Sequence, residues 1–69
     1  MEAKTILGAN IRAHRVKRDW TQERLGEEAG LHMVEVGRVE RGVKDIRLST
    51  IVKFAGALEV PAAKLLKGI

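Results

Sequence analysis

Cysteine is absent from the 69 residues, so no disulfide can form and the cysteine-rich zinc modules are excluded. The reducing cytoplasm is the expected compartment. Long apolar runs are missing too. The opening MEAKT carries an acidic residue and leads into no uninterrupted apolar stretch long enough for a signal or a bilayer span, so neither a targeting segment nor a membrane partner is expected. The two histidines, His14 and His32, fall on different predicted helices without a carboxylate or nucleophile constellation, and no glycine-rich loop could cradle phosphate. The acidic pairs Glu27-Glu28 and Glu35/Glu40 do not make a metal box. These absences argue against an enzyme, a metal centre, a cofactor or a small-molecule substrate.

What is present fits one small domain spanning residues 1–69, with no internal repeat, low-complexity segment or linker. An isolated domain of this size is marginally stable, so oligomerisation is expected. The net charge of +4 and a sequence pI near 10.0 favour a polyanionic partner, although many basic proteins have no nucleic-acid role.

The most informative stretch is TQERLGEEAGLHMVEVGRVERG, from Thr21 to Gly42. Leu25, Ala29, Leu31, Val36 and Val39 point at one shared core from two short helices held at an angle by a glycine-containing turn. Gly26 lets the first of these helices approach the second, and Gly30 supplies the positive φ that turns the corner. Thr21 is the predicted N-cap, with Glu23 complementing the helix dipole. This pattern predicts a helix-turn-helix over about residues 21–40, a scaffold whose second helix can lie in the major groove of double-stranded DNA.

Around it, Ile6, Leu7, Ile11 and His14 recur at helical spacing from about Ala3 to Lys17. The opposite face carries Arg12, Arg15, Lys17 and Arg18, where a solvated charged face competes with phosphate contact. Trp20 suits an apolar plug over the bundle better than a stacking platform for bases. A recognition helix is predicted from about His32 to Glu40. With Val36 and Val39 inward, its outward face holds Met33, Val34, Gly37 and Arg38, with Arg41 just beyond. Met33 and Val34 offer methyl groups to thymine or, alternatively, pack in the domain or on a partner. Gly37 permits close approach, and Arg38 can bond guanine O6 and N7 together. Glu35 is expected to accept from cytosine N4, to pair with an arginine or to point away.

Gly42 is the predicted left-handed residue that ends this helix, and Lys44 and Arg47 in the following loop are phosphate candidates. Leu48, Ile51, Phe54, Ala55 and Leu58 predict a fourth helix packed on the motif, whose N-terminus near Ser49 can offer N–H groups to a phosphate. Pro61 suits a first-turn site, with a short fifth helix over Ala62 to Leu66. Val60, Leu65, Leu66 and Ile69 either close the core or form a self-complementary dimer surface, and the dimer is the reading adopted.

The sequence resembles the phage repressor, Cro and Xre family of helix-turn-helix DNA-binding proteins. The matching residues are Leu7-Gly8, Ile11-Arg12, Arg15, Thr21-Gln22-Glu23, Leu25, Ala29-Gly30-Leu31, Val36, Glu40-Arg41-Gly42, Leu48, Ala57-Leu58 and Val60, and they cover nearly the whole chain. The resemblance implies an all-α, five-helix, lambda-repressor-like fold. It implies that Arg15 pairs with Glu40, tying the first helix to the third, and that Gln22 contacts a phosphate or a base edge. His32 stands where similar domains have a serine or threonine cap, so weaker capping is expected and the ring is a phosphate candidate. His14 replaces a leucine of similar domains, and a satisfied or half-exposed core histidine is expected there.

The implied function is a transcriptional regulator without an attached sensor domain, acting as a homodimer on a pseudo-palindromic operator. VERGVKDIRLSTIVKFAGALEV resembles the restriction-modification controller group, although Arg47 departs from the serine or threonine usual in this region. The alternative is an antitoxin-like interaction module with secondary DNA binding.

Overall fold

The structure, a computed structural model, describes residues 2–69. Among the described residues there are five helices and no strand: α1 (Ala3–Lys17), α2 (Gln22–Ala29), α3 (Met33–Glu40), α4 (Leu48–Leu58) and α5 (Ala62–Leu65). α1 packs on α3, α4 and α5, and α2 packs on α3 and α4. No helix among the described residues is long and apolar enough to cross a membrane.

Each helix contributes a stripe to one apolar centre made of Leu7, Ile11, Leu25, Val36, Val39, Phe54, Ala55, Leu58 and Leu65. No polar or charged residue among those described is buried with them. Burial of a large aliphatic or aromatic side chain here stabilises the fold by roughly 1.5–3 kcal/mol, and Phe54, wholly buried at the middle of α4, is the largest. Trp20 caps this core from the α1–α2 corner, where the guanidinium groups of Arg18 and Arg24 each lie 4.9 Å from its ring centroid. The expected plug is therefore also a cation–π platform.

The bend between α2 and α3 follows from two glycines. Gly30 has φ 73°, in the left-handed region. A Cβ at Gly26 would stand 2.5 Å from the Leu31 carbonyl oxygen, so only glycine lets the turn fold back this closely. Thr21 caps α2, its hydroxyl accepting from the Arg24 N–H at 3.0 Å. Gly42 has the expected positive φ of 71° just after α3.

Several sequence expectations need correction. Leu65, assigned to a dimer surface, is 0% exposed and belongs to the core. Asn10 holds it there from α1, its side-chain amide donating to the carbonyls of Leu65 at 2.8 Å and Lys67 at 2.9 Å. Val60 is partly buried and also packs on the core. Leu66 and Ile69 remain exposed, as a dimer surface requires. Leu48, expected to pack on the motif, is 72% exposed. It shares the spacing of the Ile51–Phe54–Ala55–Leu58 stripe, but as the first residue of α4 it stands one turn before Ile51, at the helix end rather than over the core. Pro61 stands at the N-cap of α5 rather than inside its first turn, and the helix stops at Leu65, one residue early.

Candidate nucleic-acid interface

Val36 and Val39 anchor α3 in the core. At about 100° per residue, Val34, Arg38 and Arg41 then fall on the opposite face, with Met33 and Glu35 on its flanks. The exposures agree: Met33 is 46% and Val34 56% exposed, and Arg38 and Arg41 are exposed. Two apolar knobs and two guanidinium groups thus project together from a helix whose other side is locked.

The lock is a hydrogen-bonded cluster behind α3. Arg15 of α1 donates through Nε to Glu40 Oε2 at 2.7 Å and through Nη2 to Glu40 Oε1 at 3.0 Å, a bidentate pair. Its Nη1 donates to the Trp20 carbonyl at 2.7 Å. Gln22, the first residue of α2, donates through Nε2 to the same Glu40 Oε1 at 3.1 Å. Three helices and the α1–α2 corner therefore meet at one carboxylate. The side chains of Arg15 and Glu40 are only 12% and 3% exposed, so water screens the pair little. Hydrogen bonding to Glu40 raises the pKa of Arg15 above its ordinary value, burial opposes this, and the carboxylate charge adds to it. Since the folded value is the higher one, the contribution from Arg15 protonation is complete below the ordinary arginine range and is lost as pH rises beyond it.

Gln22 was expected to contact DNA, and the structure gives it a prior role in orienting Glu40. Gly37 also differs from expectation. It is buried rather than open, because the side chains of Gln22 and Arg41 lie over it: a Cβ there would stand 3.3 Å from Gln22 Oε1 and 3.2 Å from Arg41 Nη1. The missing side chain makes room for these two groups, not for direct approach of a duplex. His32 corrects another expectation, since it is a working cap: Nδ1 accepts from the Val34 N–H at 3.1 Å. The capping ring belongs to a residue that is otherwise exposed.

Beyond α3, Arg47 and Ser49 are exposed at the start of α4. Arg47 occupies the N-cap without a side-chain cap bond. Its side chain cannot accept from a first-turn N–H; the Arg47 carbonyl takes the Thr50 N–H at 3.0 Å, and the N–H groups of Leu48 and Ser49 are left at the helix end. Lys44 is not free: its Nζ lies 3.6 Å from Oε2 of Glu35, so Glu35 pairs with a lysine rather than with an arginine.

Sequence reasoning missed the exposed apolar side chains Leu48 and Val52, the latter 55% exposed. For Val52 the signal available was its position outside the i, i+3, i+4 spacing of the core stripe; Leu48 shares that spacing and carried no such signal.

A helix anchored at its back by a largely buried ion pair, preceded by a short capped helix and a left-handed glycine, is the helix-turn-helix arrangement. The helix-turn-helix family pattern matches residues 11–65. The chain is 41% identical over 66 residues to the control protein C.SmaI of Serratia marcescens, covering 96% of this chain and 79% of that one. Among solved structures, a hypothetical transcription factor, NHTF, from Neisseria superposes with a TM-score of 0.90 at 42% identity, covering 94% of this chain and 75% of that one. The restriction-modification controller protein C.AhdI from Aeromonas hydrophila superposes with a TM-score of 0.87 at 34% identity, covering 90% and 94%. The chain belongs to the helix-turn-helix family of DNA-binding transcriptional regulators and is homologous to restriction-modification controller proteins.

Replacing Arg15 by Met strands the buried Glu40 carboxylate and should destabilise the domain by about 3–5 kcal/mol in urea unfolding. Arg15→Met/Glu40→Leu should recover much of that loss, because both charges leave together. A single variant as stable as the parent would show that the pair holds nothing.

Proposed function

We propose that this chain is a homodimeric, sequence-specific regulator that reads a pseudo-palindromic operator through two copies of α3, and that it controls transcription in a restriction-modification system. The observation that carries this reading is the joint exposure of Met33, Val34 and Arg38 on a helix whose back is fixed by Glu40. Arg38 is the base reader, bonding guanine through both nitrogens of its fork, while the Met33 and Val34 side chains meet thymine methyl groups. Gly37 serves the same readout indirectly, by seating Gln22 and Arg41. Around this centre Gln22, His32, Arg41, Arg47 and Ser49 contact the phosphate backbone, with Lys44 as a further candidate. The partner is double-stranded DNA, no small molecule or cofactor is required, and the absence of cysteine suits a cytoplasmic setting.

The body measures 28 × 22 × 21 Å. Successive major grooves on one side of a duplex are about 34 Å apart, so reading two of them takes two copies. With Leu65 in the core, the surface between copies is assigned to Leu48, Val52, Leu66 and Ile69, each apolar and exposed, while the half-buried Val60 packs on the core. A regulator of this kind acts through occupancy of its operator.

Arg38→Ala should weaken binding to an operator selected from a random duplex library by about 1–3 kcal/mol, with a smaller loss on mixed-sequence DNA. Equal losses on both would make Arg38 a phosphate contact. Val52→Asp, at an exposed site that leaves the core intact, should sediment as a monomer and lose tight operator binding. A variant that stays dimeric would move the interface elsewhere, and a parent protein that is monomeric alone would favour a heteromeric interaction module.

A further inference from the structure

The face proposed to meet DNA carries a carboxylate on α3 itself whose place there needs explaining. Glu35 lies on the flank of α3 beside Arg38, and shares a cleft with Arg47 and with the exposed Asp45 of the α3–α4 loop. Against a polyanion, an unpaired carboxylate at this position costs affinity through repulsion. It is not unpaired: Lys44 Nζ stands 3.6 Å from its Oε2. The two side chains, with Asp45, Ile46, Arg47 and Thr50, line a cleft of about 290 Å³ between α3 and the start of α4.

Two features make this pair exchangeable, unlike the one at Arg15 and Glu40. The side chains of Lys44 and Glu35 are 41% and 32% exposed, so water reaches both and parting them is cheap. A lysine ammonium is also a compact charge on a flexible stem, able to leave one oxygen anion for another without satisfying a fixed fork geometry.

Non-specific affinity grows with the number of phosphates that cations neutralise and counterions released. A lysine already neutralised by its own protein adds little to that number. On mixed-sequence DNA, where nothing holds α3 deep in the groove, Lys44 keeps its internal partner. When Arg38 and the Met33 and Val34 side chains seat α3 on the correct bases, the α3–α4 loop is drawn against the backbone, and phosphates there compete for the ammonium. We infer that Glu35 is an internal counterion that withholds Lys44 from DNA until α3 is seated, and so sets the ratio of specific to non-specific binding. This rests on α3 being the base-reading helix.

The test compares the parent, E35Q, K44A and E35Q/K44A on a mixed-sequence duplex and on the duplex recovered by selection, over a range of salt concentrations. E35Q should tighten binding to the mixed-sequence duplex by about fivefold, the upper range for an exposed ion pair, and steepen the slope of log K against log salt by about one unit. Its gain on the selected duplex should be smaller, so specificity falls. In the K44A background the same substitution should lose most of its effect on the mixed-sequence duplex. An equal gain with and without Lys44 would overturn the inference, because Glu35 would then act by plain repulsion of phosphate, and so would no gain on mixed-sequence DNA. If selection enriches no sequence, the base-reading role of α3 fails instead, and the mixed-sequence arm still decides whether Glu35 holds Lys44.

Discussion

The structure depends on one carboxylate. Glu40, at the last turn of α3, receives Arg15 from α1 and Gln22 from α2, while Arg15 also ties down the backbone at Trp20. In so small a domain, α3 has just two turns and two fully inward valines, and apolar packing alone leaves such a short helix free to roll or tilt. Hydrogen bonds with fixed directions remove that freedom. A buried ion pair is seldom the most stable way to fill a space, but it is specific about orientation, and orientation is what a base-reading helix requires. The orientation of α3 is therefore set from its packed side.

With its back held, α3 presents a mixed surface. Two apolar side chains and an arginine fork suit base edges in a major groove, while the surrounding cations and the bare start of α4 suit the phosphates on either side. Gly37 shows how closely the two layers are joined. Its lack of a side chain lets Gln22 and Arg41 lie across α3, so the residue that steadies Glu40 also borders the readout surface. The two ion pairs near α3 differ in burial: the one at Arg15 and Glu40 is largely shielded from water, and the one at Lys44 and Glu35 is open to it.

Much of this was legible in the residues. The apolar spacing in α1, α2 and α3, the Thr21 cap and the left-handed glycines at 30 and 42 are local features with local causes, and they appear where the sequence places them. The Arg15–Glu40 pairing came from the family resemblance, because no local rule joins residues so far apart in the chain. What escaped was tertiary. Leu65 and Leu66 are neighbours of equal hydropathy, and only the position of Asn10 and the end of α5 decides that one is core and the other surface. His32 looked like a poor substitute for serine until its ring nitrogen was found at the right distance from Val34 N–H. Leu48 was read as core from a spacing it shares with Ile51 and Ala55, and only its place at the end of α4 leaves it on the surface.

The central claim is that α3 is set in its reading geometry before DNA arrives. A crystal structure of the protein on its selected operator tests this most directly. The account predicts α3 within the major groove, the Arg38 guanidinium within hydrogen-bonding distance of a base edge, and the Arg15–Glu40–Gln22 cluster unchanged from the free protein. A complex in which that cluster is broken and α3 reoriented, or in which another element occupies the groove, would contradict it.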